Sequence, residues 1–102
     1  MANGQYRGEA SEELTKIYHD AFKEGIWIQE IASDQGRYLA VAGKIEKLEK
    51  WGKQMKRKIN FKKIDLNLAE VIHFGLGVPG SGRTRESACK DAVAKLKILH
   101  RG

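Results

Sequence analysis

A chain of 102 residues, 41% apolar and with one proline, is long enough for a single domain with a modest core, and none of its apolar runs nears membrane-spanning length. Nineteen Lys and Arg against thirteen Asp and Glu leave a net charge of +6, which makes a polyanion the first partner to consider. The single cysteine, Cys89, excludes an internal disulfide and suits a reducing compartment; with no secretory signal read in the sequence, the expected location is cytoplasmic or nuclear.

Residues 1–10, MANGQYRGEA, read as a flexible lead, and 11–102 as one domain. Ser11 is placed to cap a helix, because its hydroxyl can accept from a free amide of the first turn. Leu14, Ile17, Tyr18, Ala21 and Phe22 then recur at helical spacing, with Thr15, Lys16, His19 and Lys23 opposite, and Gly25 ends the helix. Residues 26–42 predict a hairpin: a strand over Ile26–Ile31, a turn at Ser33-Asp34-Gln35-Gly36, and a strand from Arg37 to Ala42. Trp27 is a core or sheet-face residue in this pattern. Residues 44–56 return to helical period through Ile45, Leu48, Trp51 and Met55, with Glu46 and Glu49 each four residues before a lysine.

Charge is concentrated next. From Lys44 to Lys63 there are nine Lys or Arg against two Glu, so this stretch carries +7 and the remainder of the chain −1. Such clustering is stronger evidence for a polyanion partner than the same charge spread evenly. Residues 58–68 alternate as a strand with a bulge expected near Lys62-Lys63, and Glu70–Phe74 predicts a further short strand. A glycine-rich loop follows, Thr84 caps the last helix, and Ala88, Ala92, Val93, Leu96 and Leu99 form its apolar stripe. The expected architecture is α+β, an antiparallel sheet of two hairpins with helices on one face.

Arg83, Arg85 and Lys90 cluster at the start of the last helix, where free amides and the helix dipole favour an anion such as phosphate. Gly77–Thr84, GVPGSGRT, fits the nucleotide-binding P-loop pattern except that Arg83 stands where lysine belongs. Only one helix follows it, with no further strand to supply a magnesium-binding carboxylate. His19, His73 and His100 are isolated, Cys89 has no patterned partner, and no carboxylate pair stands on an apolar background. The chain therefore reads as non-enzymatic, with no metal and no cofactor expected.

Gly82–Ala92, GRTRESACKDA, resembles the signature of the double-stranded RNA-binding domain family. There a glycine, a basic residue and Ser or Thr open the last helix ahead of alanines that pack on a sheet; Arg83, Thr84, Arg85, Ala88 and Ala92 match. The resemblance implies an α-β-β-β-α order with the N- and C-terminal helices on one face of an antiparallel sheet, the helix near 44–56 being an insertion. It also implies recognition of duplex RNA by shape and phosphate spacing, since the narrow major groove hides the base edges. Arg83, Arg85 and Lys90 would bridge phosphates from exposed positions. Lys53, Lys56, Arg57 and Lys58 would form a second basic patch, and Lys16 and His19 a minor-groove edge. Glu86 and Cys89 depart from the pattern, standing where the family carries lysine. They favour the alternative, a protein-interaction module of the same shape that has lost RNA binding.

Overall fold

The computed structural model describes residues 11–61, 64 and 66–99, the side chains of 32–34 excepted. The expected lead at 1–10 and the bulge at Lys62-Lys63 lie outside these residues. Helix α1 (Glu12–Lys23) leads into β1 (Ile26–Asp34) and β2 (Arg37–Lys44), then α2 (Ile45–Gln54), α3 (Leu68–His73), β3 (Val78–Gly82) and α4 (Arg85–Leu99). The strands form one antiparallel sheet in the order β1-β2-β3. The architecture is α+β, with two helices inserted between the second and third strands.

Local signals explain most of these elements. The Ser11 hydroxyl accepts from Leu14 N at 3.0 Å and so caps α1. Asp34 faces Arg37 across the hairpin, and the residues between them, Gln35 and Gly36, have φ of 50° and 78°. Two consecutive left-handed residues twist the turn in the sense that suits the strands it joins.

Side chains on β1 and β2 alternate between two cores. Ile26, Ile28, Ala40 and Ala42 meet Leu14 and Ala21 of α1 and Ala88, Cys89, Ala92 and Leu96 of α4. Trp27 and Val41 point to the other side, where Leu48 and Trp51 of α2, Leu66, Val71 of α3 and Leu76 cover them. The expected helices on one face are therefore half of the arrangement. The terminal helices do share a face, but the inserted segment closes the opposite one, and a sheet buried on both faces needs apolar runs rather than strict alternation. Three residues assigned to apolar stripes lie outside both cores: Phe22, Met55 and Leu99 are exposed.

The second expected hairpin is not formed. Residues 70–74 lie in and just after α3, which Asn67 caps by accepting from Ala69 N at 2.7 Å. The described residues of 58–66 form no strand. Ile59, Phe61, Ile64 and Leu66 pack on the second core instead. Gln29 holds this connection in a two-point bond, its amide donating to Leu66 O at 2.8 Å and accepting from Leu66 N at 3.1 Å. The third strand is the supposed glycine loop itself. Val78–Gly82, VPGSG, pairs with β2 in the register Ala42↔Val78 to Tyr38↔Gly82. Proline is tolerated there because β3 is an edge strand, and Asp91 of α4 accepts from Ser81 N at 2.9 Å.

Gly80 sets how closely α4 lies on this strand. A Cβ built on it would fall 2.2 Å from Ala92 N and 2.6 Å from Ala92 Cα, both backbone atoms that cannot swing aside. Gly80→Ala should therefore push helix and strand apart and cost about 3 kcal/mol, the upper end of ordinary overpacking. Chemical denaturation against wild type measures it; a loss below about 0.5 kcal/mol would mean that the seam is looser than described.

Candidate nucleic-acid interface

The start of α4 is capped as expected. Thr84 Oγ1 accepts from Ser87 N at 3.0 Å and Ser87 Oγ accepts from Thr84 N at 3.1 Å, a reciprocal cap. The stretch before it is not a phosphate-cradling loop. Val78–Gly82 is extended and paired with β2, so the P-loop alternative does not describe this segment.

The three cations expected to bridge phosphates there have different fates. Arg85 turns inward to Glu30 of β1, donating from Nε to Oε1 at 2.7 Å and from Nη2 to Oε2 at 3.0 Å. The side chains of this pair are only 20% and 13% exposed, so the expected exposure of Arg85 is corrected. Tyr18 of α1 also donates to Glu30 Oε2, at 2.7 Å, so one carboxylate ties α1, β1 and α4 together. Lys90 forms an ion pair with Glu13 of α1. Arg83 is exposed and, among the described residues, has no carboxylate partner. Glu86 accepts from the Ser11 hydroxyl at 2.5 Å, and that bond, first, holds its carboxyl below the usual range. Cys89, where the resembled family has lysine, is fully buried. The acidic residues thus balance the cations over most of this surface.

Glu30 carries a signal legible in the sequence. It shares inward parity with Ile26 and Ile28, and a carboxylate on a core-facing strand position needs a partner. On the flank of α1, Lys16 is 3.0 Å from Asp20 in an exposed pair, and His19 is exposed beside it.

The second basic patch divides as well. Lys44, Lys50 and Lys53 line a shallow concavity together with Glu24, Glu46 and Glu49, three cations facing three anions. Arg57 lies over the Trp51 ring, 4.9 Å from its centroid, and 3.1 Å from Glu70. Lys56 and Lys58 are exposed, with no carboxylate partner among the described residues.

The geometry that presents them is specific. After α2, Lys56 N donates to Lys53 O at 3.2 Å and Arg57 N to Gly52 O at 2.8 Å, the paired bonds of a Schellman ending. Such an ending wants a residue with positive φ. Helix α3, which closes with the same pair of bonds, supplies Gly75 (φ 64°), and at the matching place after α1, where Gly25 N donates to Phe22 O, stands Gly25 (φ 73°). Here the residue is Lys56, with φ 55°. A left-handed lysine costs about 1 kcal/mol more than glycine at such a site.

Among the described residues no group of His, Cys, Asp and Glu could hold a metal ion, and no helix is long and apolar enough to cross a membrane. Comparison of the chain with protein-family models, curated proteins and solved structures finds no match in any of the three.

Two predictions follow from the Glu30 node. Arg85→Ala should cost about 2–4 kcal/mol, since it strands a largely buried carboxylate, whereas Arg83→Ala should stay within about 0.5 kcal/mol. Equal effects in urea titration would deny the clasp. The second concerns alkaline pH. Burial pushes the Cys89 thiol from 9.0 up to about 12, and burial, then the bond to Glu30, raises the Tyr18 hydroxyl. Both groups ionise more readily in the unfolded chain, so their stabilisation is complete below about pH 9 and is lost as pH rises through the folded values. Stability should fall above pH 9, and Cys89→Ala should fall less steeply than wild type in melts taken across that range.

Proposed function

We propose that this chain is an RNA-binding module that recognises double-stranded RNA by shape and phosphate contact, with the basic turn after α2 as its main phosphate-holding surface. The observation that carries the proposal is Lys56. A cation is kept in a left-handed backbone position where two other helices of the same chain use glycine, and strain retained at one residue points to a role for its side chain. Lys58 adds a second cation with no carboxylate partner among the described residues, close by in sequence, and Arg83 a third near α4. Duplex RNA is chosen among polyanions on the resemblance of Gly82–Ala92 to the RNA-binding signature, together with a helix-strand-strand-strand-helix succession that α2 and α3 interrupt before the third strand. A cytoplasmic or nuclear setting, where RNA and reduced thiols coexist, goes with the proposal.

The start of α4 has a different part in this proposal. Arg85 is a structural clasp and Lys90 is neutralised by Glu13, so neither is assigned a phosphate. Those same pairs, with Glu86, favour the second reading, a protein-interaction module of this shape without RNA binding. A gel-shift series with duplex RNA, duplex DNA and single-stranded RNA across salt concentrations separates the two.

Lys56→Gly should raise stability by up to about 1 kcal/mol, relieving the left-handed lysine at some cost in chain entropy. It should also weaken duplex RNA binding. Lys56→Ala with Lys58→Ala should flatten the log–log salt dependence by up to about 2 units if each lysine meets a phosphate. A double variant with wild-type slope and affinity would pass the function to the protein-interaction reading.

A further inference from the structure

We propose that Phe74 is a stacking platform for one unpaired RNA base, set beside the phosphates that Lys56 and Lys58 would hold; the proposal rests on the RNA-binding reading of the same surface. Phe74 closes α3 and is 44% exposed. Its ring is backed by the buried Trp51 ring, centroids 5.7 Å apart and planes inclined at 50°, and meets His73 edge-on at 4.8 Å. The guanidinium of Arg57, the residue between Lys56 and Lys58, lies over the same Trp51 ring, 4.9 Å from its centroid. Cation, buried indole and open phenyl ring are therefore contiguous, and two lysines with no carboxylate partner among the described residues flank the cation in sequence.

This composition selects the occupant. An exposed ring held against a rigid backing offers a flat apolar surface at little entropic cost, which suits a base, and bases stack on aromatic side chains irrespective of sequence. The lysines supply the anion-binding half that a nucleotide also requires. Bases inside a duplex are already stacked, so only a base beyond the duplex end, or in a bulge, can use Phe74. The predicted ligand class is a duplex with a single-stranded flank.

Fluorescence anisotropy with a labelled blunt RNA duplex, and with the same duplex carrying a short unpaired purine extension, tests this. The extended RNA should bind wild type about 5- to 100-fold more tightly, the range expected for one stacked base. Phe74→Leu keeps an apolar side chain without a ring; it should erase that difference and leave blunt-duplex affinity unchanged, while Phe74→Tyr should retain it. Thermal melts check that the variants are folded, and in a Trp27→Phe background, which leaves Trp51 as the one tryptophan, quenching of emission by the extended RNA alone gives a second readout that leaves Phe74 in place. Equal binding of the two RNAs, or a preference that survives in Phe74→Leu, overturns the proposal and leaves the RNA-binding reading standing. Binding of neither RNA overturns both. Capture of a short peptide alternating glutamate and leucine instead, lost in Phe74→Leu, gives the surface to a protein partner and also overturns it.

Discussion

The fold depends on a missing side chain. Gly80 lets the backbone of β3 approach the backbone of α4 at Ala92, and the residues around that contact, Ala40, Ala42, Ala88 and Cys89, are all small and buried. Close approach gains dispersion contacts that a larger residue would forfeit. It also fixes how far the first turn of α4 stands from the sheet. At that height the Arg85 side chain reaches Glu30 on β1, two strands away from the seam. A basic residue that would point outward on a helix standing off the sheet is drawn into the domain. The same constraint buries Cys89 at a place where a lysine could not be accommodated without a partner.

The inserted segment is a structural layer and a charged surface at once. Without it, Trp27 and Val41 would face water on the second side of the sheet. Trp51 and Leu48, with Ile59, Phe61, Ile64 and Leu66, cover them, and Gln29 pins Leu66 as a strand neighbour would, with one donor and one acceptor. Apolar residues of α2 are spent on this cover, so its polar residues are left on the outside. Half of those six, Lys47, Lys50 and Lys53, are lysines, set against Glu46 and Glu49. The excess positive charge of 44–63 therefore falls mainly on Lys44 before the helix and on the cations after it, not on α2 itself.

What was legible in the sequence was local. Ser11, the Gln35-Gly36 turn, Thr84 and the helical spacing of 44–56 each rest on chemistry within a few residues. The third strand was hidden because VPGSG is composed of residues that sheets disfavour, and its place comes from pairing with a strand some forty residues earlier. Helix α3 was legible and missed: Asn67 as cap, Gly75 after the last turn, and Leu68, Val71 and Ile72 at helical spacing bracket it. The alternation over 58–66 was real but ambiguous, since packing on a core can satisfy it without a ladder. For the candidate site, the basic turn could be counted from sequence. The loss of Arg85 to Glu30 could not be located, because the partners are 55 residues apart.

The two charged regions adjoin at the concavity where Glu24 joins the lysines of α2, but Lys90 and Lys56 belong to layers on opposite faces of the sheet, roughly two packing distances of about 10 Å apart. At 0.1 M salt the screening length is about 10 Å, so a carboxylate that neutralises Lys90 does little to the potential at Lys56. Summing charge over the whole chain therefore misplaces the argument, since the net +6 describes neither face. The balanced face can meet another protein without repulsion from the basic one, and the basic turn can attract phosphate without help from α4. Charge pairing on the α1–α4 side therefore says nothing against the basic turn, and each surface is judged by its own local charges.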